Sequence, residues 1–270
     1  MSLDLDDRQR AMLQEMHVPV WLPHAEALQP AVVSAPAAMP AKPAPARPVP
    51  HVAATARPAP PVARAPVGDM PALDAMDWPA LVETASACQA CGLCVGRKNS
   101  TLVAPVAQQA DWLVVGDPPD EDEDRSGQPF VEQAGQLLDN MLKAAGASRI
   151  GTPVAGTRAA HVTDVVKCRP PQGRNPQPAE LAQCAHFLQR EIALVQPKVI
   201  LAMGRFAIQS LLAEQPELAS QPLGKLRGTV YRYRDVPVVV TYHPKVLLRA
   251  SADKAKAWAD LCLAMDVVES

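Results

Sequence analysis

The stretch His161 to Cys184, HVTDVVKCRPPQGRNPQPAELAQC, decides the fold. Its opening, His161 to Val166, is rich in β-branched residues and predicts a strand. Pro170 and Pro171 then forbid both ladder and helix. Pro178 and the residues after it start an amphipathic helix that carries Cys184. One strand end therefore presents Asp164, the thiol of Cys168 and the cations Lys167 and Arg169. In α/β proteins, ligands bind at the carboxyl ends of strands, so chemistry is expected here.

Working outward, the same strand-then-helix pattern repeats. Ala110 to Val115 predicts a strand that breaks at Gly116, and the acidic run DPPDEDEDRSGQPF after it reads as a loop. Gln133 to Ala145 and Arg205 to Leu212 predict helices, and Pro197 to Met203 predicts a fully apolar strand between the last two of these units. Val230 to Arg234 and Val236 to Thr241 predict a hairpin, and Ala252 to Val267 a closing helix. Alternation with near-continuous apolar strands means a mostly parallel sheet covered on both faces, an α/β/α sandwich over residues 77–270. Gly116-Asp117, Asp164 and His243 each follow a strand, so this topology brings them to one rim.

The N-terminal part reads differently. Leu3 to Val18 predicts a short amphipathic helix within a tail of residues 1–24, too short to be stable alone and suited to docking on a partner. Residues 25–76 are Ala/Pro-rich; over half of the 29 prolines precede residue 80, and such a chain forms a semi-extended linker. The net charge of −2 neither excludes nor demands nucleic acid. No apolar run is long enough to span a membrane and no signal peptide opens the sequence, so a cytoplasmic location is expected. In that reducing setting six cysteines predict metal or cluster binding ahead of disulfides. Cys88-x-x-Cys91, with Cys168 and Cys184, offers four thiolates, which suit tetrahedral zinc or an iron–sulfur cluster. Cys94 is a spare ligand and Cys262 reads as core.

CQACGLC, VVGDPPDEDEDRSGQPFVEQAGQLLD, VTDVVKCRPP with NPQPAELAQC, PKVILAMG, and LRGTVYRY running into TYHPKVLLR occur in order. Across Leu81 to Val267 they resemble the family 4, iron–sulfur, uracil-DNA glycosylases. The resemblance implies a four-iron four-sulfur cluster on Cys88, Cys91, Cys168 and Cys184, and a pocket for a uracil flipped out of DNA in base excision repair. It implies stacking on Phe130, base contacts from Gly116 and Asp164, and catalysis by Asp117 and His243. Lys167, Arg169, Lys245 and Arg249 are expected on phosphates, with Leu247 and Leu248 wedged into the duplex. Residues 3–22 resemble the clamp-loader-binding tail of a replicative polymerase psi subunit. That likeness implies a different function, an inactive adaptor of the replication machinery.

The family's first motif reads Gly-Glu-Ala-Pro-Gly, where this chain has Gly116-Asp117-Pro118-Pro119-Asp120. The shorter carboxylate sits back by about 1 Å, and a displacement of that size can cost about a hundredfold in rate. Asp120 adds charge and bulk where the motif has glycine. The second motif has Thr-Asn where this chain has Thr163-Asp164. An amide donates to uracil O4 and accepts from N3–H, whereas an ionised carboxylate only accepts. Both changes predict weakened excision of uracil.

Overall fold

A computed structural model describes residues 72–107, 109–151 and 156–270. The expected tail of residues 1–24 and nearly all of the linker lie outside the described residues. Leu73, expected in the linker, is buried in the core with Leu81 and Phe187, so the folded part starts ahead of Asp77.

Helix α1 (Trp78–Ala87) starts where Asp77 accepts a hydrogen bond from the Ala80 N–H at 3.1 Å. Such a cap is worth about 1 kcal/mol. Strand β1 (Trp112–Gly116) is followed by α2 (Glu121–Ser126), α3 (Glu132–Ala144), the two-residue β2 (Ala147–Ser148) and β3 (Arg158–Asp164). Then come α4 (Pro178–Val195), β4 (Val199–Met203), α5 (Arg205–Leu211) and the single turns α6 (Pro216–Ala219) and α7 (Leu223–Leu226). The hairpin β5 (Val230–Tyr233) and β6 (Val236–Thr241), then α8 (Pro244–Arg249) and α9 (Lys254–Glu269), complete the described chain.

The sheet has six strands in the order β2-β3-β1-β4-β6-β5, parallel except for the β5 edge. Its central strands bury every residue, and alternate side chains serve opposite faces. Leu113, Val115, Ile200 and Ala202 pack with α1, α4 and α5. Trp112, Val114, Leu201 and Met203 pack with α3, α8 and α9. Helices thus cover both faces of a mostly parallel sheet, as the three-layer expectation has it.

One segment departs from its reading. The acidic run is not all loop, because Glu121–Ser126 is helical. Asp120 accepts from the Asp122 and Glu123 N–H groups, and Glu123 reaches back to the Asp120 N–H at 2.8 Å. This reciprocal cap, with Gly127 at φ 68° closing the far end, outweighs the poor helix propensity of aspartate.

Candidate active site

β1 and β3 lie side by side with Gly116 opposite Asp164, and His243 follows β6 two strands away. Phe130, from the segment between α2 and α3, reaches over this rim. Its ring is stacked on the His243 imidazole, centroids 4.8 Å apart and planes inclined by 14°. A side chain at Gly116 has no room, since a Cβ there would lie 2.5 Å from the Phe130 ring and 3.3 Å from Asp164 Oδ1. Phe130, Asp164 and His243 are all buried.

Phe130 is held from behind. Its backbone takes φ 51°, a left-handed conformation uncommon outside glycine. Its N–H donates to Glu123 Oε1 at 3.0 Å, and its carbonyl accepts from Arg149 at 3.0 Å. Gly135 allows α3 to back onto it, because a Cβ there would fall 2.1 Å from the Phe130 oxygen.

His243 caps α8, its Nδ1 accepting from the Lys245 N–H at 3.2 Å. The proton of the neutral ring therefore sits on Nε2. Burial, reinforced by the charge of Lys245, pushes its pKa down to about 3. The imidazole is thus a neutral hydrogen-bond donor through the physiological range. Lys245 itself is bound by Asp120 and Glu123, at 2.7 Å each.

Asp164 is the unusual member. Its Oδ2 is buried without a hydrogen-bond partner. Burial first, then the charge of Glu123, hold its carboxyl well above the usual carboxylate range. Asp117 is engaged with its neighbours: Oδ1 accepts from the Phe206 N–H at 2.8 Å, at the start of α5. Burial raises its pKa, opposed by the amides of Phe206 and Ala207. Gly204, at φ 107°, makes way for that carboxylate, which would lie 2.2 Å from a Cβ. Asp117 and Arg169 line an open cleft with Phe206 and Arg174.

The residues expected on DNA fall into two groups. Arg249 and Leu248 are exposed on α8, and Arg169 faces Glu121 at 3.4 Å. Leu247 is 1% exposed and packs in the core, because successive residues of α8 point in different directions and its turn carries Leu248 away from the sheet. Lys167 is likewise turned inward, its ammonium 2.5 Å from Glu191, which leaves no charge at the surface for a phosphate.

Cys88, Cys91, Cys94, Cys168 and Cys184 line one small cavity between α1, α4 and the turn after β3. The Lys167 N–H donates to Cys184 Sγ at 3.3 Å and Arg97 to Cys168 Sγ at 3.2 Å. Burial pushes the thiols of Cys168 and Cys184 up to about 11 and about 12. Among the described residues, no three His, Cys, Asp or Glu side chains converge as ligands of a single ion do. Cys262, read as core, is half-buried on α9, where Leu261 and Ala264 take the inward positions.

Glu123, Glu191 and Arg97 are absent from the sequence reading. Asp-x-x-Glu at 120–123 signals a capping box, and Glu191 falls two turns after Cys184 on one helical face. No comparable signal marks Arg97. Among the described residues, no helix is long and apolar enough to cross a membrane.

Comparison with known proteins adds to this geometry. Residues 105–262, more than half of the chain, match the model of the uracil DNA glycosylase superfamily. The type-4 uracil-DNA glycosylase of Archaeoglobus fulgidus is 33% identical over 174 residues, 62% of this chain and 81% of that protein. That of Pyrobaculum aerophilum is 33% identical over 192 residues, 70% of this chain and 93% of its own. That of Thermotoga maritima is 34% identical over 175 residues, 64% and 84% respectively.

Proposed function

The chain belongs to the uracil DNA glycosylase superfamily, among its type-4 members, and from that premise we propose that it hydrolyses uracil from DNA to begin base excision repair. The observation that carries this reading is the Phe130–His243 pair stacked at the Gly116–Asp164 edge, an aromatic surface beside a neutral donor. A flipped base stacks on aromatic side chains and is read along its Watson–Crick edge. Phe130 supplies the stack, once the imidazole moves aside to admit the base, and Asp164 reads O4 and N3–H.

Breaking the bond from C1′ to N1 leaves the electron pair on the base, as an anion centred on O2, and positive charge on the sugar. Once displaced from Phe130, His243 donates its Nε2–H to that oxygen, and a donor aimed at developing charge is usually the largest catalytic contribution. Asp117 faces the sugar cation and the incoming water, whose oxygen bonds to C1′ as it gives one proton to the carboxylate. From there the proton passes through solvent to the departed uracil anion. One oxygen of the Asp117 carboxylate is already engaged by the Phe206 N–H, which turns that oxygen away from the sugar, so turnover is slow. Arg249 and Arg169 meet phosphates, and Leu248 fills the space the base vacates.

Cys88, Cys91, Cys168 and Cys184 would hold a four-iron four-sulfur cluster. All four cysteines line one cavity, and the resemblance to the type-4 glycosylases favours a cluster over zinc. When bound, it would fasten α1, α4 and the turn after β3 together and relieve the buried thiols of their protons. Purified protein should then be brown.

The test is incubation with single-stranded DNA carrying one deoxyuridine. Alkali-labile abasic sites at that position are expected, and no product at stoichiometric enzyme defeats the proposal. A second reading, a pocket that binds a base without turnover, is favoured by the capped Asp117. It predicts retention of deoxyuridine DNA with no abasic product. The expected clamp-loader partner of residues 3–22 gains no support from the relatives, which are named as glycosylases.

A further inference from the structure

Lys167 is a cation in the protein core, with 2% of its side chain exposed. Its ammonium donates to Glu191 Oε2 at 2.5 Å, to Thr163 Oγ1 at 2.7 Å and to the backbone carbonyl of Asp164 at 2.7 Å. All three protons are used. Glu191 is 0% exposed; its other oxygen accepts from Thr163 Oγ1 at 2.8 Å and lies 3.8 Å from His161 Nε2. Burial alone would raise the Glu191 pKa, but Lys167 and His161 bring it below the usual range. The backbone of the same lysine reaches the other way. Its N–H meets Cys184 Sγ at 3.3 Å, and its carbonyl accepts from the Thr101 N–H at 3.1 Å.

One residue thus grips the strand end that presents Asp164 and, through its own amide, a wall of the cysteine cavity. An apolar pair of similar volume is often as stable as a buried ion pair. Stability therefore gives no sufficient reason for the charge, whereas three directed hydrogen bonds fix a geometry that an apolar side chain would leave free. We propose that Lys167, with Glu191 as its counter-charge, is a positioning residue that holds Asp164 at the base and couples that hold to Cys184. This deepens the base-excision reading and rests on it. Lys167 touches neither substrate nor reacting atoms; it acts through Asp164.

The test removes both charges at once, Lys167→Met with Glu191→Leu, in the native protein and in an Asp164→Ala background. In the native background kcat should fall about tenfold or more, with KM nearly unchanged, since misplacement of a contact by about 1 Å acts on the transition state. In the Asp164→Ala background the loss should nearly vanish, because the lysine has nothing left to position. Equal losses in both backgrounds, or none in either, overturn the proposal. Amide hydrogen exchange supplies a readout independent of excision: residues 165–167 should exchange about tenfold faster in the double variant, other core amides unchanged. Unchanged exchange there refutes the hold even if the protein excises no uracil, a result that would sink the glycosylase reading separately. Should the double variant fail to fold, Glu191→Gln keeps the volume, weakens the grip and carries the same two measurements.

Discussion

Replacing Asp164 by asparagine changes one contact in a closed site, and its effect follows from protonation. Asp164 is 1% exposed, and Oδ2 has no partner. While burial and Glu123 keep the proton on, the carboxylic acid donates to uracil O4 and accepts from N3–H, much as an amide does. Once the proton leaves, O4 faces a second acceptor. A buried hydrogen bond lost in that way costs about 1–3 kcal/mol. At 1.4 kcal/mol per factor of ten, Asp164→Asn should excise uracil about 5- to 150-fold faster than the native protein where Asp164 is ionised. In acid the two should be near parity. The assay is single-turnover cleavage of a deoxyuridine oligonucleotide between about pH 5 and pH 9. Stability should move in step: a carboxyl whose folded pKa is raised favours the fold below its unfolded value, and that benefit is lost as pH rises through the folded value. The asparagine variant should therefore gain in melting temperature over the native protein as pH rises above the ordinary carboxylate value. A variant-to-native rate ratio that is flat with pH, or below one, refutes the account.

Other outcomes follow from the same geometry. Leu247→Ala should lower stability by about 2–5 kcal/mol in chemical denaturation, while Leu248→Ala leaves stability alone and slows excision from duplex more than from single strands. His243→Gln should lower kcat by about 10²–10³-fold. Because the buried imidazole stays neutral down to about 3, the native rate should show no inflection from it near the ordinary histidine value of 6.5. Gly204→Ala should destabilise the protein and impair turnover together, since its methyl would collide with the Asp117 carboxylate at a backbone angle that only glycine tolerates well. Cys184→Ser should yield colourless protein with a depressed melting temperature, measured by visible absorbance and calorimetry.

The layers of the fold were legible because its strands are unbroken apolar runs such as Val199 to Met203, ended by glycine or a polar group. Pro178 marked the start of α4, whereas the short α8, which begins at Pro244, was not read as a helix. The two-residue β2 carries no pattern to read, and α2 was hidden by its acidity although its cap was in view at Asp120 and Glu123. Within the site, chain order was enough to bring Gly116, Asp164 and His243 to one rim. Orientation was not legible. Whether Lys167 turns to a phosphate or to Glu191, and which of two adjacent leucines faces out, depends on partners dozens of residues away. Asp117 illustrates the same limit, since its engagement by Phe206 comes from a helix 89 positions further along.

The grip on Phe130 has a consequence for how this pocket changes. Because the ring's aim is set by Glu123, Gly135 and Arg149, none of which needs to touch a base, its width is adjusted from the rear. Substituting residues that face the ligand alters what is recognised, whereas small changes at position 135 or 149 shift the whole aromatic plane. Selection for a bulkier lesion would reach such outlying positions before the ring itself.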